Sequence, residues 1–163
     1  MQTVEPVAAL KWDVALAMAA KDHCKNNGPE GKMGHEGVDG SMPDKRMDRY
    51  GIRRGYMGEN IAYGMHSATD VVAGLFVDDG VPGRGHRTNM MKPEFTQCGV
   101  GEGPFAQHDW NMTTLNYASG YEARMLIMKD QKKFEAALAE YQASKAQSQD
   151  VCTTKEECAA QAV

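Results

Sequence analysis

Apolar residues recur at three- and four-residue steps from Leu10 through Val14, Leu16, Ala17 and Ala20 to Cys24, a spacing that predicts one helix over residues 7–25. Asn26-Asn27-Gly28-Pro29 ends it, because glycine supplies a left-handed cap and proline cannot continue the hydrogen-bond ladder. The next stretch carries Gly28, Gly31, Gly34, Gly37 and Gly40, too many for regular structure, and reads as a long loop with His35 in its middle. Ser41 is the expected N-cap of a short helix running to Tyr50, with Pro43 and Asp44 in its first turn and Gly51 at its end.

Between Gly55 and Gly64 the apolar residues are bounded by glycines, which fits a short extended or turn segment. Ser67 or Thr69 caps a further helix over residues 70–78, with Val71, Val72, Leu75 and Phe76 as its apolar stripe. The turn Gly80-Val81-Pro82-Gly83 breaks that helix, and another short one over 85–91 stops before Pro93. Residues 95–103 and 110–121 read as strands, paired antiparallel across a connection containing Gly103-Pro104. A charged helix over 130–147 follows, with Phe134, Leu138 and Tyr141 on one side. Helices flanking strands clustered late in the chain predict an α+β class rather than a wound parallel sheet.

The 163 residues suit one domain, and 42% hydrophobic with 25% charged residues is ordinary globular usage. A net charge of −4 and the lack of a long basic run make nucleic acid an unsuitable partner. No apolar stretch nears the ~20 residues that span a bilayer, so no transmembrane segment is expected. The start, Met1-Gln2-Thr3-Val4-Glu5-Pro6, lacks the basic and apolar regions of a secretory leader, which implies an intracellular protein or a leader already removed. The sequon Asn111-Met112-Thr113 leans toward secretion.

Chemistry concentrates in Asp78-Asp79-Gly80-Val81-Pro82-Gly83-Arg84-Gly85-His86-Arg87, preceded by Gly58-Glu59-Asn60-Ile61 and Gly34-His35. These segments, with the strand Gly99-Val100-Gly101, resemble the CAP superfamily of cysteine-rich secretory proteins, antigen 5 and pathogenesis-related proteins, in its microbial and protist branch. The resemblance implies a secreted domain with an α-β-α sandwich, a small central antiparallel sheet with helices on both faces. It covers about residues 10–121, between a lead-in of residues 1–9 and an extension of residues 122–163. It further implies a cleft in which two histidines and two acids hold a divalent metal, zinc first: His35, Glu59, Asp78 and His86, with Asp79 as the near alternative to Asp78. Two imidazoles with carboxylates at hand suit such an ion, and about −2 of local charge favours it.

Each residue also has a plainer role. Glu59 can fix a turn by accepting backbone N–H groups, and Asn60 can organise it. Arg84 and Arg87 pair with Asp78, Asp79 or Glu59, and His35 is surface. His23, His66 and His108 match no motif and read as surface or helix-end residues. Cys24, Cys98, Cys152 and Cys158 permit three connectivities; their positions suggest Cys24–Cys98 and Cys152–Cys158, against four free thiols in a reducing compartment. Twelve methionines are core filling or, in a cleft, an adaptable apolar surface.

No Gly-x-Ser-x-Gly elbow, phosphate-binding loop or His-Glu-x-x-His occurs; His35-Glu36-Gly37-Val38-Asp39 lacks the second histidine and the helix. Nothing local demands catalysis, and the resemblance implies non-catalytic binding of a lipid, a sterol or a protein. The alternatives are a metal-dependent hydrolase with Glu59 activating water, and a structural subunit docking through the C-terminal helix.

Overall fold

Asp13 sets the start of the first helix in the computed structural model, which describes residues 6–107 and 110–124 and four separate positions, 132, 135, 136 and 139. Its carboxylate accepts from the N–H groups of Ala15 and Leu16, so helix α1 spans Val14–Asn27 and begins seven residues later than its apolar spacing predicts. Lys11–Trp12 instead form strand β1. Gly28 follows α1 at φ −56°, without the expected left-handed turn. It is glycine for want of space, because a Cβ there would lie 2.2 Å from Pro104 O.

Helix α2 (Pro43–Tyr50) has Pro43 in its first turn and no side-chain cap; Ser41, the expected cap, bonds Asp39 instead. Then come β2 (Gly51–Arg53), β3 (Met57–Tyr63), α3 (Ala68–Val77), α4 (Gly85–Met90), β4 (Gln97–Phe105), β5 (Trp110–Ala118) and β6 (Tyr121–Ala123). Ser67 caps α3 as expected. Pro104 lies inside β4 rather than in the connection, at an end where β1 no longer pairs and no donor is missed.

The main sheet has the order β1-β4-β5-β3, antiparallel except for the short parallel pair of β1 with β4; β2 and β6 make a separate antiparallel pair. Leu16, Ala19 and Met47 pack beneath Ala118 and Tyr121, placing α1 and α2 in one layer. Val71 and Leu75 of α3 pack with Ala62, Leu115, Tyr117 and Phe95 on the other face. The result is the expected α-β-α sandwich of α+β class. Of the α3 stripe only half is buried: Val72 and Phe76 are 50% and 43% exposed.

Pleating decides which residues meet α1. Gly99, Gly101 and Gly103 face it, and a Cβ on Gly99 or Gly101 would lie 2.1 Å from Ala17 N or 2.3 Å from Lys21 N. The helix backbone therefore rests directly on the strand. Cys24 lies on this side, its thiol donating toward Gly101 O, Met112 O and Thr114 Oγ1 at 3.4 Å. Cys98 alternates to the other side and, like Val100 and Leu10, packs against the cluster that includes Leu75, Phe95 and Tyr117. Both thiols are free, and the expected Cys24–Cys98 disulfide cannot close across an intervening sheet.

The last turns of α1 also order the glycine-rich loop. Asn27, fully buried, donates to Glu36 O at 3.0 Å and accepts from Val38 N at 2.9 Å. His23, read as a surface residue from the sequence, is fully buried and donates from Nε2 to Gly34 O at 2.9 Å. Gly34 N in turn donates to Tyr63 Oη at 2.9 Å. His23 Nδ1 has no partner among the described residues.

The chain divides into two compact units, Met1–Ile127 and Met128–Val163, and the fold above is that of the first. His108, Cys152, Cys158 and the apolar side chains of the predicted helix 130–147 lie outside the described residues.

Gly101→Ala is expected to cost about 1–3 kcal/mol, since the obstacle is helix backbone and not a movable side chain. Gly85→Ala, with nothing within 4 Å, serves as a neutral control in urea unfolding. Burial pushes the His23 pKa below its ordinary value; Glu59 opposes this and Arg46 adds to it. The unfolded chain takes up that proton near about 6.5 while the folded one resists it, so stability falls as pH drops below that value. His23→Gln, which keeps a donor for Gly34 O, is expected to flatten this part of the urea-midpoint profile, by at most about 1.4 kcal/mol per pH unit. An unchanged profile would contradict the buried neutral imidazole.

Candidate functional site at the edge of β3

Strand β3 is the edge of the main sheet, and its pleat sends Glu59 toward the α1–α2 layer and Asn60 toward the α3–α4 layer. Each of these two residues organises one half of a cleft. On the first side, Glu59 Oε1 faces His35 Nδ1 at 2.8 Å, and Oε2 accepts from Arg46 Nη2 at 2.8 Å. Arg46 comes from α2 and is fully buried. It also donates to His35 O at 3.1 Å and to Ser41 O at 2.6 Å, so one guanidinium fastens both ends of the segment carrying His35 to the strand.

On the second side, Asp78 ends α3 in a left-handed conformation, φ 51°. An aspartate tolerates that region better than most residues. Its buried carboxylate accepts from His86 N at 2.9 Å and faces His86 Nδ1 at 2.7 Å, with Arg87 N at 3.3 Å. Burial raises the Asp78 pKa, but the hydrogen bonds from His86 and Arg87 outweigh it and hold the carboxyl below its ordinary value. Asn60, also fully buried, donates to His86 O at 3.0 Å and accepts from Asn89 Nδ2 at 2.9 Å, which docks α4 on β3.

Among the described residues Arg84 and Arg87 pair with no acid through their side chains. Both donate to Val77 O, and Arg87 also to Phe76 O, so they satisfy the carbonyls at the end of α3. Asp79 is exposed, and it is Asp78 that meets the histidine. Arg84 adopts φ 49°, an unfavourable conformation for its side chain, in the turn that leads to His86.

His35, Glu59 and His86 line one open pocket of about 440 Å³ with Val81, Gly83, Gly85, Thr88 and Asn89. The four expected site residues are thus two acid–imidazole pairs rather than a four-ligand cage. Both oxygens of Glu59 are engaged, and Arg46 cancels one of the two negative charges that the sequence suggested. Among the described residues no group of three or more His, Cys, Asp or Glu is arranged to hold a metal ion. Each imidazole nevertheless keeps Nε2 as its remaining nitrogen, and a carboxylate on Nδ1 is how outer residues orient metal-binding histidines. The two imidazoles are nitrogen donors of the kind a divalent ion such as zinc takes.

Sequence reasoning missed Arg46. Its only visible signal was a basic residue at the buried face of a short helix, three positions after Pro43, where a lone arginine reads as solvated surface.

Comparisons with known proteins agree with this fold. The chain is similar in structure to an outer surface protein of Borrelia burgdorferi, at 16% identity and a TM-score of 0.58, over 69% of this chain and 79% of that one. It is also similar to an extracellular protein containing an SCP domain from Bacillus anthracis, at 23% identity and a TM-score of 0.55, over 69% of this chain but 34% of that longer one. No curated protein matches the chain. The model of the cysteine-rich secretory protein family matches residues 5–117, most of the described sandwich, and the chain belongs to that CAP family.

Proposed function

We propose that this chain is an extracellular, non-catalytic binding domain whose cleft at the edge of β3 takes a divalent cation, zinc first, on Nε2 of His35 and His86. The observation that carries the reading is the repeated geometry in one pocket: two imidazoles, each held at Nδ1 by a buried carboxylate at 2.8 and 2.7 Å. Bound there, the ion would offer open positions to an oxygen or nitrogen donor of a partner protein. His35 and His86 hold it; Glu59 and Asp78 orient them; Arg46 and Asn60 fix the two halves to the strand. The extracellular setting draws on the family and on the outer-surface and extracellular proteins it resembles. It is consistent with the finding that no helix among the described residues is long and apolar enough to cross a membrane.

A hydrolase is less well supported. Glu59, the residue that would activate water, has one oxygen against Arg46 and the other against His35, and its side chain is only 1% exposed, which places it poorly for taking a proton from water. A lipid or sterol ligand draws on a different place, a cavity of about 240 Å³ between α3 and the sheet, lined by Met65, Val71, Val72, Val100 and Leu115. That cavity contains none of the four cleft residues and falls below the roughly 300–1,000 Å³ of typical ligand pockets. Docking through the C-terminal helix concerns side chains outside the described residues.

Calorimetric titration of the metal-stripped full chain with zinc tests the cation reading. Saturable binding is expected, lost in His35→Ala and in His86→Ala and weakened about 10–100-fold in Asp78→Asn. A folded wild-type chain that takes up no zinc would refute it.

A further inference from the structure

We infer that Arg46 is the positioning residue that fixes which ring nitrogen of His35 carries the proton, acting through Glu59. The inference deepens the cation reading above, but it concerns the metal-free protein and stands or falls on its own readout.

A buried guanidinium is costly unless every donor near an acceptor is used. Here Nη1 and Nη2 reach Ser41 O, His35 O and Glu59 Oε2, while Nε has no partner among the described residues. Arginine can only donate. The Glu59 oxygen that faces it can therefore only accept, and the carboxylate is pinned with Oε1 toward His35 Nδ1. That oxygen also accepts, so the proton of a neutral His35 ring sits on Nδ1 and the lone pair on Nε2. The opposite side of the cleft reaches the same end by other means. Asp78 Oδ2 accepts from the backbone N–H groups of His86 and Arg87, which likewise cannot reverse, and Oδ1 faces His86 Nδ1. In each half an irreversible donor holds one carboxylate oxygen so that the other selects the tautomer. One donor is a side chain from α2 and the other is backbone, so in the Glu59→Gln background substitution at position 46 should alter His35 and spare His86.

The amide variant at position 59 makes the logic visible. In Glu59→Gln, Arg46 demands the amide oxygen, which turns the NH2 group toward His35. Nδ1 must then accept, the ring proton moves to Nε2, and the nitrogen proposed for the cation is blocked. Removing Arg46 as well frees the amide to rotate. The double variant Arg46→Met/Glu59→Gln also removes both members of the buried ion pair together, avoiding the stranded charge that a single Arg46→Met would leave.

Ring-nitrogen NMR on the metal-free full chain at pH about 8, above the ordinary imidazole range, tests this. The wild type should show His35 protonated at Nδ1, Glu59→Gln should invert it to Nε2, and the double variant should lose the inversion. His86 should remain protonated at Nδ1 throughout, reporting that the cleft is intact. A wild-type His35 protonated at Nε2 overturns the inference without any variant. So does a tautomer unchanged in Glu59→Gln, or an inversion that persists once Arg46 is gone. Zinc titration of the same samples separates the two claims: the expected tautomers with no zinc uptake by the wild type would sink the cation reading alone. Uptake with an unchanged tautomer in Glu59→Gln would sink the positioning role alone. With both correct, Glu59→Gln should weaken zinc at least about 10–100-fold.

Discussion

Consecutive residues of a strand must face opposite sides of its sheet, and at β3 this sends Glu59 to the helices α1 and α2 and Asn60 to α3 and α4. Both halves of the cleft hang on that alternation. Glu59 gathers His35 and Arg46 on one side, and Asn60 draws the backbone of His86 and the side chain of Asn89 on the other. An interior strand could not do this, because its neighbours would separate the two layers; an edge strand lets loops from both faces meet around it. Asn89 also donates to Glu59 O, at 3.4 Å, so the same contacts blunt an edge that could otherwise recruit another chain.

The alternation is useful only if the layers are held at fixed distances, and on β4 this falls to absent side chains. The glycines at 99, 101 and 103 let α1 settle on the sheet with its backbone against the strand, and Leu16, Ala19 and Ala20 fill what remains. A helix so placed brings His23 and Asn27 of its last turns under the glycine-rich loop. The loop is consequently ordered despite its composition: Gly34 is held from both sides by His23 and Tyr63, and Glu36 and Val38 by Asn27. His35 is presented on a backbone fixed at its neighbours, although its own side chain is 51% exposed.

Much of this was legible in the sequence because motif and element coincide. The α3 helix, the turn after it, the short α4 and the paired late strands follow from capping residues, Gly/Pro punctuation and apolar runs, and the site residues sit in those segments. What escaped notice depends on long-range contact. The start of α1 is set by Asp13 and by pairing of Lys11–Trp12 with β4, which periodicity cannot register. His23 lies on the apolar face at steps of three and four from Ala19 and Ala20, a signal that was present but outweighed by its polarity. Cys24 and Cys98 looked pairable because helix and strand are adjacent; the parity of the strand, unknowable before the register is fixed, separates them. Val72 and Phe76 look like core in a periodic pattern, yet α3 is covered on one side only.

The buried Arg46–Glu59 pair raises a question of energetics that bears on function. Desolvating two charges costs several kcal/mol per ion, and a hydrophobic pair of the same volume often stabilises a protein as well or better. Net stability is thus a poor reason for the pair. Geometry is a better one, because an apolar pair could fill the space but could not orient an imidazole or gather the carbonyls of His35 and Ser41. Breaking the pair from one side strands a charge, at about 3–5 kcal/mol, so alternative packings of the loop are penalised more than the native one is rewarded. A cleft built this way has its ring nitrogens and carboxylates set before any ligand arrives, and the ordering cost of binding falls accordingly.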